Sequence, residues 1–235
     1  MSNLPNQRLS VWFGCLVASN PLKAGKELWS KNRRRVLVAA GVVVVALAYG
    51  HHSPEVKTER AEIPAGYESA GRELAVHAEA KPEKPVPLLL VLHDDESDAA
   101  TIEKDSKVSA LADQQKFALV YPEAVASTWQ TNGQDARYLW DVVRYVAKER
   151  SNIDMSRIYI WGAGEGGRLA LTVACGPLDP AQQPLFTAVG TVNTVGPLPA
   201  CPSRVHVKSV ALAPGRKWNE ATTSELWKFS KDIKG

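Results

Sequence analysis

The residues whose spacing bears on chemistry lie in one stretch, Asn152 to Gly167. It reads as a polar turn, the apolar run Ile158-Tyr159-Ile160-Trp161, then Gly162-Ala163-Gly164-Glu165-Gly166-Gly167. A strand that passes through a tight glycine turn into a helix is the setting of the G-x-S-x-G nucleophile elbow. There the turn lifts a serine hydroxyl above the sheet, and backbone N–H groups receive the oxyanion. The chemistry this would support is acyl transfer through a serine ester. Here Gly162 and Gly166 hold the outer glycine positions, but the nucleophile position is Gly164, which has no side chain. Glu165 follows it. In a first helical turn its charge suits the helix dipole, and that reading is favoured over a replacement acid or base.

A triad needs a nucleophile, a base within hydrogen-bond reach and a group that orients the base. His93 ends the apolar run Leu88 to Leu92 and reads as structural. His206 sits inside a strand pattern, and His77 lies in an edge-like segment with no chemical signal. Adjacent His51 and His52 read as linker or interfacial residues. His93-Asp94-Asp95-Glu96 contains metal-ligating residue types, but neighbours in sequence seldom converge on one ion, so a solvated acidic loop is favoured. No His/Cys cluster has zinc spacing. No metal and no cofactor are expected. Carboxylates crowding such a turn would also repel an oxyanion.

The elements that must position these residues alternate between strand and helix. Strands are expected at Leu74–Ala78, Leu88–Leu92, Phe117–Tyr121, Ile158–Trp161, Phe186–Val192 and Val205–Ala213. The uninterrupted run Leu88–Leu92 suits a strand buried on both faces. Helices are expected over Ala99–Gln115, Asp135–Arg150, Arg168–Ala174 and Glu220–Ile233. In Asp135–Arg150 the residues Tyr138, Leu139, Val142, Val143 and Val146 share one side. Strands alternating with helices imply a largely parallel sheet wound by right-handed crossovers.

From about Arg72 to Pro214 the chain resembles the esterase and polyhydroxybutyrate-depolymerase branch of the α/β-hydrolase superfamily, which includes feruloyl- and acetylxylan-esterase-like proteins. Leu88 to His93 resembles that family's apolar strand ending in His-Gly. Phe117 to Glu123 resembles its next strand and Tyr-Pro turn. Asn152 to Gly167 resembles the long segment that carries its serine, and is the most specific of the three. The resemblance implies a three-layer α/β-hydrolase-like fold with a mostly parallel sheet, truncated at its C-terminal end. The departures fall at chemical positions. Gly164 stands where the family has serine, and Asp94 where the oxyanion loop has glycine. Pro214 to Asn219, where the family carries its acid, has no carboxylate, and no histidine follows His206. The expected catalytic set is therefore none.

The charge is unevenly placed. Residues 1–35 hold seven basic residues and one acid, net +6, while the whole chain is +3, so the other 200 residues carry −3. A basic tail on an acidic domain argues against a nucleic-acid partner. Arg33-Arg34-Arg35 abuts the apolar run Val36 to Tyr49, and no charge follows until Glu55. As a helix, 36–54 would be roughly 28 Å long, about one hydrocarbon core. The expected organisation is a basic cytoplasmic tail (1–35), a transmembrane anchor or signal segment (36–54), a linker (55–71) and the hydrolase-like domain (72–235). The arginines place the domain on the periplasmic or extracellular side. The alternative is secretion after cleavage near Ala48, since Ala46-Leu47-Ala48 is an A-x-A pattern. The leading functional expectation is a membrane-anchored pseudo-hydrolase that binds a protein or small molecule in the former active-site cleft. The alternatives are an ester hydrolase with a non-standard site and a degenerate hydrolase with no selected role. Outside the cytoplasm, Cys175 at the end of the elbow helix and Cys201 before the last strand are expected to form a disulfide. The resembling family has cysteines in similar places.

Overall fold

Leu88 to Leu92 offers apolar side chains to both sides of a strand, and the fold buries both. In a computed structural model that describes residues 56–130, 133–176, 186–197 and 199–235, seven strands form one sheet. They are β1 (Glu59–Glu62), β2 (Glu73–His77), β3 (Val86–Leu92), β4 (Ala118–Pro122), β5 (Ile153–Ala163), β6 (Phe186–Val192) and β7 (His206–Val210). The sheet order is β1-β2-β4-β3-β5-β6-β7. From β4 to β7 all pairings are parallel, and β1 and β2 join antiparallel at one edge. The helices are α1 (Ala99–Ser106), α2 (Val108–Gln115), α3 (Gln134–Tyr145), α4 (Gly164–Cys175) and α5 (Glu220–Ser230).

The period-two alternation sorts the core into two layers. Leu88, Leu90, Leu92, Ile158, Ile160 and Val189 pack with Tyr138, Leu139, Val142 and Val143 of α3 and Leu169 and Val173 of α4. On the other face Leu89, Val91, Tyr159, Trp161 and Ala188 pack with Ile102 of α1, Val108 and Ala112 of α2 and Leu226 and Trp227 of α5. The result is a three-layer α/β-hydrolase-like domain with a mostly parallel, mixed sheet. Among the described residues no helix is long and apolar enough to cross a membrane. The basic tail, the Val36–Pro54 segment and the signal pattern at Ala46–Ala48 lie outside the described residues.

Several boundaries differ from the sequence expectation, each for a local reason. The segment read as linker contains β1, whose Glu-Arg-Ala-Glu sequence has no apolar alternation because the strand is a largely exposed edge. The single helix expected over Ala99–Gln115 is two, broken at Lys107, which is left-handed at φ 60°. Asp98 caps α1 by accepting the Thr101 N–H at 2.7 Å. The expected Asp135–Arg150 helix ends at Tyr145 and continues as one π turn, Val146–Arg150. β5 begins at Ile153, inside the stretch read as a polar turn. The elbow helix begins at Gly164 rather than Arg168. His77, placed at an edge by its sequence, is buried on β2 between β1 and β4.

Candidate active site

The end of β5 and the start of α4 form the elbow, and close backbone packing explains its glycines. A Cβ on Gly162 would lie 2.4 Å from the backbone of Gly166. One on Gly166 would lie 2.2 Å from the His93 carbonyl oxygen, and one on Gly167 2.0 Å from Thr194 Oγ1. Strand, helix and the end of β3 can meet this closely only without side chains at these places. Gly164 is in the left-handed region at φ +47°, the strained turn that an elbow nucleophile occupies. Thr194 Oγ1 donates to its carbonyl at 3.1 Å. The frame of a nucleophile elbow is thus complete around a residue that has no nucleophile.

Asp94 fills the space. A Cβ on Gly164 would lie 2.0 Å from Asp94 Oδ1 and 2.2 Å from Oδ2. Oδ1 accepts the backbone N–H of Glu165 at 2.9 Å and that of Asp95 at 2.9 Å. In the elbow arrangement the N–H of the residue after the nucleophile serves the oxyanion hole. Here that residue is Glu165, and its N–H already holds a carboxylate. The N-terminus of α4 adds favourable dipole to the contact. Two departures seen separately in the sequence, Gly164 and Asp94, thus meet in space: the Asp94 carboxylate from the loop after β3 occupies the position into which a side chain at 164 would project.

The other titratable groups are occupied. Arg168 Nε and Nη2 donate to the two carboxylate oxygens of Glu165 at 2.8 and 3.0 Å, and Nη2 also donates to the Val195 carbonyl. Glu165 therefore sits in the first turn of α4 as half of an i,i+3 ion pair. His93 is fully buried. Its Nδ1–H donates to the Asp94 carbonyl at 2.7 Å, and its Nε2 accepts the Ala124 N–H at 3.2 Å. An Nε2 that accepts is unprotonated, so the ring is neutral although Glu123 Oε1 lies 3.4 Å away. Trp129 Nε1–H donates to the His93 carbonyl at 2.8 Å. Asp95 Oδ1 accepts the Trp129 N–H at 3.2 Å. The hydrogen bond from Thr101 at the start of α1 holds the Asp98 carboxyl below the usual range. The acidic loop is thus partly bonded rather than freely solvated.

The sheet register separates the remaining histidines from the elbow. The elbow follows Ala163, which pairs with Val192 at the C-terminal ends of the parallel strands. His206 pairs with Ala188 near the opposite end, and is exposed. His77 pairs with Leu119, also near the start of a parallel strand. Among the described residues, His93 is then the only imidazole at the elbow end, and both of its nitrogens are spent. Cys175 ends α4 and is disulfide-bonded to Cys201, with 4.4 Å between the Cα atoms. The seat taken by Asp94 was missed in the sequence. The available signal was that a loss of side chain at 164 accompanied a gain at 94.

No family model matches the chain. Two curated proteins illustrate its relatives. NocK of Nocardia uniformis subsp. tsuyamanensis, which is named as an esterase, is 33% identical over 151 residues, 58% of this chain and 42% of NocK. The bifunctional acetylxylan esterase/xylanase XynS20E of Neocallimastix patriciarum is 33% identical over 103 residues, 43% of this chain and 15% of that protein. The matches thus span less than half of either relative. Among solved structures, acetyl xylan esterase from Aspergillus awamori is 16% identical, with TM-score 0.48 over 57% of this chain and 51% of the other. S-formylglutathione hydrolase FrmB from Staphylococcus aureus is 16% identical, with TM-score 0.48 over 76% and 68%. Part of the chain, 58% of it against NocK, is thus similar in sequence to proteins named as esterases, and the fold is α/β-hydrolase-like.

Proposed function

We propose that the domain is a pseudo-hydrolase: it keeps the elbow as a structural frame and serves as a binding or interaction module, not as an ester hydrolase. One observation carries this reading. The Asp94 carboxylate lies where an elbow side chain would project, and its Oδ1 accepts the Glu165 N–H that an oxyanion would need. An anion held there by two N–H groups competes directly with the developing charge of a tetrahedral intermediate. His93, bonded to the backbone through both ring nitrogens, has no lone pair free for a general base. A serine hydroxyl without a base is a weak nucleophile, so the loss extends beyond one residue.

A second reading is supported by the names of NocK and XynS20E: a carboxylic-ester hydrolase with a non-standard site. The two separate on one assay, turnover of short-chain p-nitrophenyl esters by the full-length protein. The pseudo-hydrolase reading expects no turnover above a heat-inactivated control, and none after Gly164→Ser. Turnover that Asp94→Ala or His93→Ala abolishes would establish the second reading. We further propose that Val36–Pro54 anchors the protein, with the domain outside the cytoplasm. A reporter active only after export, fused after residue 60, is expected to be active. An inactive fusion refutes that placement.

A further inference from the structure

We propose that the end of the sheet opposite the elbow docks the domain against an anionic phospholipid surface; this rests on the reading of Val36–Pro54 as a membrane anchor. From β4 to β7 the strands run parallel, so the loops that precede them gather at one end. Those loops are tied to one another. The Val86 N–H donates to the Asn152 carbonyl at 2.9 Å, Ser151 Oγ to the Glu79 carbonyl at 3.0 Å, and Arg157 Nη2 to the Pro85 carbonyl at 3.3 Å. Lys81 and Lys84 lie before β3, Lys116 before β4 and Arg204 before β7. The chain enters the domain at the same end. Continuing the β1–β2 register by two residues sets Lys57 opposite Ala78, and Val56 lines one small cleft with Pro82, Val86 and Lys116.

Charge sorts along the strand axis. Lys57, Lys81, Lys84, Lys116 and Arg204 are exposed, and none has an ion-pair partner among the described residues. The acids around them are largely matched already: Glu59 by Arg150, Asp154 by Arg157, Glu149 by Lys148 and Asp232 by Lys231. The carboxylate side chains left without a cation there, among the described residues, are Glu79 and Glu83. At the elbow end the loop after β3 carries Asp94, Asp95, Glu96 and Asp98, against the unpaired cations Arg60 and Arg216. An anionic surface attracts the first end and repels the second, and the attraction acts within about a Debye length. Only Glu55 separates Pro54 from Val56, a reach of about 7 Å when extended, so the end of the domain that meets the lipid is the basic one. Breadth also suits a surface rather than a small anion. Lys57 and Arg204 precede the two edge strands of a seven-stranded sheet, roughly 30 Å apart at about 4.8 Å per strand.

Lysine labelling of the full-length protein tests this, in phosphatidylcholine vesicles with and without phosphatidylglycerol. A membrane-impermeant acylating reagent is used. The rates at Lys57, Lys81, Lys84 and Lys116 are read as ratios to that of Lys217, in the loop after β7 at the elbow end, which corrects for copies enclosed by a vesicle. On the anionic vesicles the ratios are expected to fall about fivefold relative to the neutral ones. They should recover in about 1 M salt, where the Debye length is about 3 Å. In the triple variant Lys81→Glu, Lys84→Glu, Lys116→Glu the ratio at Lys57 should no longer fall, although the basic residues of 1–35 are intact. Ratios that are equal on the two vesicles, or a fall that survives high salt or the triple variant, overturn the proposal; should the variant fail to fold, the salt arm decides. The same fall produced by soluble polyglutamate and not by anionic vesicles would assign the surface to an acidic protein and overturn it as well. Flotation with the neutral vesicles tests the anchor separately. A protein that does not float with them refutes the anchor, while its labelling on anionic vesicles still decides the surface.

Discussion

The elbow and the β1–β2 edge hold their titratable side chains by different means. At the elbow, main-chain N–H groups of Asp95 and Glu165 hold Asp94, and the main chain holds both nitrogens of His93. At the edge, side chains from three elements hold His77, Glu103 and Asp113 to one another. Main-chain donors keep their hydrogens at any ordinary pH and are fixed by where the backbone goes. The first region should therefore answer to substitutions that move the backbone, and the second to substitutions of the side chains that meet there. The glycines at 162, 166 and 167 are required by packing, whatever stands at 164.

The largest effect should come from breaking that packing. Gly166→Ala places a Cβ 2.2 Å from the His93 carbonyl oxygen and 2.9 Å from Leu92 Cβ, and neither can swing aside. A loss of about 3 kcal/mol or more is expected, in the range of severe core overpacking. Urea unfolding of the variant measures it. A loss below about 1 kcal/mol would mean that backbone packing does not hold this region, and would undo the contrast with the edge.

Next is the covalent tie at the far end of α4. Replacing Cys175 and Cys201 together by Ser opens a link between residues 26 apart. The chain-entropy estimate gives a loss of about 3 kcal/mol. Non-reducing thiol labelling of the wild-type protein should find both thiols blocked, and the double variant should melt lower. Full labelling of both cysteines would remove the tie from the account of the elbow helix.

How much of this was legible in the sequence follows the same division. β3 and β4 were placed closely because strands buried on both faces carry uninterrupted apolar runs, and β6 was placed closely although Thr187, Gly190 and Thr191 interrupt its run. The elbow was legible because glycine is the residue that close backbone contact demands. β1 was not, since an exposed edge strand reading Glu-Arg-Ala-Glu shows neither periodicity nor apolar content. The break at Lys107 was missed because a single left-handed lysine leaves no mark in composition. The disulfide was foreseen from two element ends and from the expectation that the domain is exported. Asp94 was seen as one of several acids in a loop, and its contact with Gly164 crosses 70 residues of chain, which no local pattern reports. The His77 network escaped for the same reason, since Thr58, Glu103 and Asp113 meet only in the folded domain.

A smaller effect tests the exchange between Gly164 and Asp94. Gly164→Ser must fit a side chain into the space of the Asp94 carboxylate at a positive φ. A loss of about 2 kcal/mol is expected, part steric and part the cost of left-handed backbone. Because Asp94 is exposed and can rotate away, the loss should stay below that of Gly166→Ala. Adding Asp94→Gly should recover about half of it, since the clash goes and the backbone cost stays. Strictly additive losses in the double variant would show that the two positions do not share one space.

The smallest effect concerns a carboxylate held by both means at once. Asp154, near the start of β5, accepts the Ser156 hydroxyl at 2.8 Å, the Ser156 N–H at 3.0 Å and Arg157 Nε at 2.6 Å. The Ser156 hydroxyl bond, followed by the one from Arg157, holds its carboxyl down at about 2, below the ordinary 3.8. A group whose folded value is depressed adds stability above its unfolded value, and that stability is lost as pH falls through the folded value. The contribution of Asp154 should therefore be complete at neutral pH and disappear between about pH 4 and about pH 2. With its side chain a quarter exposed, solvent screening reduces the effect to about 1 kcal/mol. Asp154→Asn should lower stability by that amount at pH 7, with the difference from wild type closing as pH drops through that window. A difference that persists unchanged into the acid range would mean that Asp154 acts through shape alone, as the elbow glycines do, and not through its charge.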